Sequence, residues 1–336
     1  MQLRTTLAHE LPPRVLIPAV SQAYGSLLES AHELSLVSLM SLLQEHISCL
    51  SAEDLNAHLS TLSSFFTKAL NYRSTHKQDP LERVGEIEGR VIDSLVALVM
   101  KLSEMTFRPI FFKLFDWAAG EGAPRHRLIT FWRLAACLAN RLRGLFSLFA
   151  GHLVQPAASM LAWLCHTDTD ENNPLSESES CLLLDSLLSC LLSIFLHDTQ
   201  HFITKERSDT LTVPLIDQLA NMLGGEAIYH TRVTDLLVPC IVQFAISLAD
   251  NSAMKPLHQQ ILFKMHHTAS QVRFAALIQL LELASRLRED YMPLLPEAVP
   301  YLAELMEDDS EEVEQQCQKV VRQLEIILGE PLQSYF

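Results

Sequence analysis

Five apolar residues on one helical stripe recur at a nearly fixed interval near the end of this chain. Val272, Ala276, Leu280, Leu283 and Leu287 follow one another in steps of four, four, three and four, the spacing that lines one face of an α-helix. The same template reads Val313, Cys317, Val321, Leu324 and Leu328 when moved 41 residues on, and Val233, Leu237, Ile241, Phe244 and Leu248 when moved 39 back. The preceding helix repeats too: Ile261, Leu262 and Met265 map by 41 onto Leu302, Ala303 and Met306. A helix pair of this size cannot bury its apolar face alone. The pattern therefore demands a stack in which neighbours share a core.

Two helices per unit with a period near 40 residues fall in the HEAT/armadillo range. The predicted fold is all-α, a HEAT-type α-solenoid of stacked antiparallel helix pairs. The joints agree with this reading. Ser270-Gln271-Val272-Arg273 opens a second helix, and Asp309-x-x-Glu312 has the form of a capping box. Gly329 followed by Pro331 is a stop, because glycine accepts a left-handed cap and proline cannot continue a helix. Pro293, Pro296 and Pro300 crowd the start of the penultimate helix and predict a bend. Upstream the repeat blurs, but helical periodicity continues. It predicts helices at 14–28, 31–50, 53–72, 82–103, 107–119, 125–149, 153–165, 180–196, 209–223 and 227–249.

Four regions follow from composition. Residues 1–80 read as N-terminal HEAT-like repeats continuing from a longer solenoid, because the helix around Val15–Leu28 has no polar coat. Residues 81–165 carry a basic stripe. Residues 166–180 (HTDTDENNPLSESES) are acidic and nearly free of apolar side chains, and are expected to be a mobile loop. Ser176 and Ser178 in it resemble acidic-directed phosphorylation sites, against the plainer reading of an unmodified loop. Residues 181–336 hold the C-terminal repeats. Their last helix is polar on its outer face (Glu311, Glu314, Gln315, Gln318, Arg322, Glu325), as a terminal repeat requires.

The chain carries 25 Lys+Arg against 40 Asp+Glu, a net charge of −15. Such a chain is repelled by phosphate backbones at long range, which disfavours nucleic-acid binding by the molecule as a whole. Yet the segment from Lys101 to Arg143 is net +5, and that from Glu289 to Glu330 is net −10. Within the basic segment Arg125, Arg127, Arg133, Arg141 and Arg143 alternate with apolar residues. They are the candidate docking residues for an acidic protein partner or for RNA phosphates, unless they form only a solvated outer face. The nearby Phe111, Phe112, Phe115, Trp117, Phe131 and Trp132 are expected in the core.

Other chemistry finds little support. The sequence has no G-x-x-x-x-G-K-[ST], no G-x-G-x-x-G and no G-x-S-x-G, so no catalytic residue and no cofactor are predicted. His197 and His201 lie four apart, but Asp198 stands where a metalloprotease has its glutamate and no third ligand is evident. Gly224-Gly225 reads as a cap and turn. The seven cysteines form no C-x-x-C and point to a reducing compartment without disulfides. No secretory signal is visible. The apolar run from Cys181 to Leu196 contains Asp185 and falls short of the roughly 20 residues a membrane span needs, so it predicts a buried helix.

Several longer motifs carry a resemblance. They are Phe107-Arg-Pro-Ile-Phe-Phe-Lys-Leu-Phe-Asp-Trp117, Gly144-Leu-Phe-Ser-Leu-Phe-Ala-Gly-His-Leu153, Asp198-Thr-Gln-His-Phe-Ile-Thr-Lys-Glu-Arg207 and Gln271-Val-Arg-Phe-Ala-Ala-Leu277. The end adds Leu302-Ala-Glu-Leu-Met-Glu-Asp308 and Leu328-Gly-Glu-Pro-Leu-Gln-Ser-Tyr-Phe336. With these the chain resembles the C-terminal region of the HEAT repeat-containing protein 1 / U3 small nucleolar RNA-associated protein 10 family. The likeness is strongest from Phe107 onward and weakest in the acidic loop. It implies a nucleolar, non-enzymatic scaffold of the small-subunit processome, in the early-acting subcomplex. Such a scaffold meets the U3 ribonucleoprotein and pre-ribosomal RNA, and supports processing toward 18S RNA and RNA polymerase I transcription. It implies no membrane and no small-molecule substrate. A HEAT-type transport or adaptor receptor binding protein cargo is the alternative.

Overall fold

The computed structural model describes residues 2–29, 33–166, 174–248, 251–329 and 331–332. Among the described residues every regular element is helical and there is no strand. The chain divides into two compact units, Met1–Leu142 and Arg143–Phe336.

The first unit holds α1 (Gln2–Glu10), α2 (Pro13–Glu29), α3 (Glu33–Cys49), α4 (Ala52–Ala69), the single turn α5 (Tyr72–Thr75), α6 (Leu81–Val99), α7 (Glu104–Ala119) and α8 (His126–Leu142). Its helices form two layers. One runs α1, α3, α6, α8, and the other α2, α4, α7, with each helix packed on its layer neighbours and with α2 on α3, α4 on α6 and α7 on α8 across the layers. Helix α3 packs on α6, and Leu36, Met40, Leu43 and Ile47 of the one and Ile87, Val91, Leu95 and Leu98 of the other are all buried. Transfer of side chains of this size is worth about 1.5–3 kcal/mol each. Polar ties add direction. Ser94 Oγ donates to the Met40 carbonyl (3.0 Å), and Lys101 Nζ donates to the carbonyls of Ser48 and Leu50 (2.6 and 2.8 Å), closing the C-terminal end of α3.

Two differences from the sequence reading fall here. Helix α1 was not foreseen, because nine residues without a long apolar stripe make a poor isolated helix. It is held by contact with α3: Ala8 is buried, its carbonyl lies 2.8 Å from His46 Nδ1, and Arg4 pairs with Glu45. The boundary drawn at 80/81 also separates α3 from its layer neighbour α6. The polar Asn71–Pro80 connection is a short bridge inside one unit, spanned partly by α5.

The second unit holds α9 (Ser147–Ala150), α10 (Val154–Leu164), α11 (Glu177–Leu196), α12 (Lys205–Asp217), α13 (Gly225–Arg232), α14 (Val238–Ile246), α15 (Asn251–Lys264), α16 (Ser270–Leu287), α17 (Leu295–Leu305) and α18 (Glu311–Leu328). Again there are two layers, α10, α12, α15, α17 and α11, α14, α16, α18. A π-helical turn over Val233–Leu237 joins α13 to α14. Pro239 has no N–H, so the Asp235 carbonyl lacks its ordinary α-helical donor.

The repeated stripe is the core of this unit. Val233, Leu237, Ile241, Phe244, Val272, Ala276, Leu280, Leu283, Val313, Cys317 and Leu324 are all buried. In the terminal repeat Ala303 is exposed and Met306 half-buried. The apolar run from Cys181 to Leu196 lies in α11. This is the one described helix long and apolar enough to cross a membrane, and 61% of that stretch is buried against its neighbours.

Several joints match expectation. Gly329 takes a left-handed φ of 74° at the end of α18, and Ser270 opens α16. Two do not. Ser310, not Asp309, precedes α18, and its side chain makes no cap; Asp309 is drawn away to Arg273. The capping box forms instead at Ser176. Its Oγ accepts from Glu179 N (3.3 Å) while Glu179 Oε2 accepts from Ser176 N (3.0 Å). Helix α11 therefore starts at Glu177, and the described end of the 166–180 segment is ordered by a cap rather than loop-like. Residues 167–173 of the predicted loop lie outside the described residues.

Candidate docking surface

The arginines of the basic segment do different jobs. Arg127, in the first turn of α8, donates from Nε to Asn71 Oδ1 (2.9 Å) and from Nη1 to the Trp117 carbonyl (3.1 Å). Its guanidinium lies 5.1 Å above the Trp117 ring, close enough for a cation–π contact. This side chain ties α8 to α7 and to the turn before α5.

Arg133 turns inward to Glu88 of α6. Glu88 is 1% exposed and accepts from three residues, Arg133, Arg73 and Thr130, while Arg133 also donates to the Gly85 carbonyl (3.4 Å). Arg73 of α5 donates to both Glu88 oxygens, Nε to Oε1 at 2.9 Å and Nη2 to Oε2 at 2.8 Å, and Thr130 Oγ1 donates to Oε1. Burial on its own would raise the Glu88 pKa. The hydrogen bond and charge of Arg73, the charge of Arg133 and the Thr130 hydroxyl outweigh it and hold the carboxyl below its ordinary range. Glu88 is thus an anion inside the stack, linking α5, α6 and α8. Sequence reasoning missed it, although a signal existed. Glu88 stands between Val84, Val91 and Leu95 in steps of four, three and four, the register of the buried face.

Arg125 and Arg141 are exposed, Arg125 just before α8 and Arg141 in its last turn, where a cation suits the negative helix end. Arg143 is exposed too, at a positive φ of 52°, and opens the second unit. The predicted stripe is therefore not one surface. Arg127 and Arg133 sit six residues apart, roughly 120° around the helix, and both are engaged within the unit. Of the aromatic residues expected in the core, Phe111, Phe131 and Trp132 are buried, whereas Phe112, Phe115 and Trp117 are only half-buried on α7. Phe107 is buried too, and Phe131 packs edge-on against Phe115 (5.5 Å) and Trp132 (5.8 Å).

Among the described residues no group of three or more His, Cys, Asp or Glu is placed to hold a metal ion. His197 caps the end of α11 and His201 lies beyond it at φ 52°, so the two share no helical face. Gly224 takes φ 89°; a Cβ there would come within 2.7 Å of Cys181 Sγ, and its N–H donates to Glu177 Oε1 (3.1 Å). The Gly224-Gly225 pair is a turn bound to the start of α11. His266 stacks on Tyr301 (4.6 Å) and lies 2.8 Å from Glu304, while the Nδ1 of His267 accepts from Ala269 N (3.1 Å). The seven cysteines form no disulfide.

Comparison with known proteins adds what geometry cannot. Residues 54–203 match the BP28CT (NUC211) domain, a stretch that runs through the acidic segment. The chain is 54% identical, over 99% of its length, to HEAT repeat-containing protein 1 of Homo sapiens, and 34% identical over 98% to the HEAT repeat-containing protein 1 homolog of Drosophila melanogaster. It is 30% identical over 79% of its length to the U3 small nucleolar RNA-associated protein 10 of Aspergillus terreus. It spans only 16%, 16% and 15% of those three proteins, so the likeness concerns one part of each. The near-complete match and the two-layered stacks of helix pairs agree: this chain belongs to the family of HEAT repeat-containing protein 1.

Proposed function

We propose that the chain is part of a non-enzymatic scaffold in ribosome biogenesis, acting in the nucleolus within the small-subunit processome. In this reading it helps assemble early-acting processome proteins around the U3 ribonucleoprotein. It thereby supports pre-ribosomal RNA processing toward 18S RNA and transcription by RNA polymerase I. The observation that carries the reading is the 30% identity, over 79% of this chain, to a protein named for its association with U3 small nucleolar RNA. The physical support is general. Stacked helix pairs offer long side-chain surfaces on rigid elements, which suits simultaneous binding of several partners. The exposed Arg125 and Arg141 of the first unit and the exposed Arg143 of the second are the docking cations of this proposal, each taken within its own unit; Arg127 and Arg133 are engaged inside the first unit.

The test is co-sedimentation of the tagged protein with pre-ribosomal particles, together with 18S precursor levels after its depletion. The proposal expects sedimentation with U3-containing particles and accumulation of unprocessed precursor. Residence in the free fractions with intact processing, or steady shuttling with a small GTPase, would overturn it. Reversing Arg125, Arg141 and Arg143 to Glu should weaken particle association while the helical circular dichroism stays unchanged. Unaltered co-sedimentation would remove the docking role.

A further inference from the structure

In the second unit three successive helix starts leave a groove. The start of α13, the first turns of α16 and the start of α18 border a cleft of about 410 Å³. Its floor is apolar: Val233, Ala275 and Val313 are each almost fully buried. Phe274 and Ile278, one turn apart on α16, stand half-buried at its side. The volume falls in the range of sites that take a small molecule or a peptide side chain.

Charge decides between occupants. Helix starts carry partial positive charge and would favour an anion. Here α13 answers its own start with Glu226, and α18 answers its start with Glu311, Glu312 and Glu314. Glu226 and Glu312 line the groove and are exposed. The one lysine or arginine in the lining is Lys319. Arg273 is committed to Asp308 and to the carbonyls of His267 and Thr268. The lining thus carries two carboxylates, Glu226 and Glu312, against the single Lys319. An apolar floor in a polar rim with two exposed carboxylates against one lysine disfavours phosphate and nucleic acid, and suits a cationic segment with an apolar side chain.

We propose that this groove docks a basic segment of a partner protein. An aliphatic or aromatic side chain of that segment seats against Phe274 and Ile278 over the Ala275 floor, and its Lys or Arg residues face Glu226 and Glu312. Both carboxylates are exposed and make no described ion pair that folding needs, so reversing them leaves the stack intact. The inference is independent of the ribosome-biogenesis reading, because it concerns the chemistry of the groove and not the particle in which the partner resides.

The test uses the full chain and a fluorescein-labelled nine-residue peptide of alternating lysine and leucine, read by anisotropy at about 50 mM and 300 mM salt. Saturable binding is expected, about tenfold weaker for Glu226→Lys with Glu312→Lys, and weaker at the higher salt. Ile278→Ser should weaken it independently of salt. Matching control peptides have glutamate in place of lysine, or serine in place of leucine, and neither should saturate. Equal binding of either control, or identical affinity for wild type and the double reversal with unchanged circular dichroism, would overturn the proposal. Absence of saturation up to about 1 mM peptide would overturn it as well. Self-association of the wild type that disappears in the double reversal would assign the groove to a second copy of the chain, and so also overturn it.

Discussion

In the unit Met1–Leu142 one carboxylate, Glu88, gathers two arginines inside the stack. In Arg143–Phe336 one arginine, Arg273, gathers two carboxylates at a joint. The surroundings differ accordingly. Glu88 and Arg73 have side chains 1% and 2% exposed, and the tie joins the consecutive α5 and α6 to α8, whose Arg133 stands 45 residues from Glu88. Arg273, in the first turn of α16, reaches Asp308 (2.7 Å) and Asp309 in the turn before α18, and also bonds the carbonyls that lead into its own helix. The first unit shows no clean repeat, and a buried ionic tie fixes how its helices meet. In the second unit the apolar stripe recurs every 40 residues or so from Val233 onward, and the buried Arg232, paired with Asp185 (2.8 Å), adds a tie between α13 and α11. Polar groups there trim the joints. A buried charge adds direction at the expense of solvation, and removing one partner strands the others.

That contrast can be broken by substitution. Glu88→Ala leaves Arg73 and Arg133 without their anion and should destabilise the protein by about 3–5 kcal/mol, read as a lower urea midpoint. A loss under about 1 kcal/mol would mean that the tie is ornamental.

The next effect is in the second unit and is read by pH. His258 is fully buried, with its Nε2 2.9 Å from Tyr291 Oη and its Nδ1 3.8 Å from Glu297. Burial lowers its pKa from 6.5 to about 4, and the Glu297 charge does not reverse this. The folded value lies below the unfolded one, so His258 contributes stability that is fully present above pH 6.5. That contribution is lost as pH falls toward 4, at about 1.4 kcal/mol per unit over this window. His258→Gln, neutral throughout, should flatten this part of the profile. An identical slope would contradict the assignment.

Arg273→Ala, which strips Asp308 of its cation while Ser310 N still donates to it (2.8 Å), should cost about 2 kcal/mol, less than Glu88→Ala. A larger loss would reverse the contrast between the units. The smallest effect belongs to the exposed pair. Arg125→Glu and Arg141→Glu should each stay within about 0.5 kcal/mol of wild type in thermal unfolding. A clear drop would mean that these arginines are also struts.

The stripe Val272–Ala276–Leu280–Leu283 was legible because helical spacing is a local property and the core follows it. The jobs of the arginines were not. Arg127 and Arg133 alternate with apolar residues just as Arg125 and Arg141 do, but their partners Asn71 and Glu88 stand 56 and 45 residues away. A single helix reveals which face a residue occupies, not what approaches that face. The two capping boxes make the same point. Ser176-x-x-Glu179 and Asp309-x-x-Glu312 look alike, yet only the first forms, because Arg273, 36 residues upstream, claims Asp309. The groove beside Phe274 and Ile278 was invisible for a related reason. It exists only where three consecutive repeats lie side by side.

The most direct test of the buried tie is native-state amide hydrogen exchange on wild type and Glu88→Ala, resolved by helix. The account predicts that α5, α6 and α8 lose protection together while α14, α16 and α18 keep theirs. Unchanged protection in α6 and α8, or an equal loss throughout both units, would contradict it.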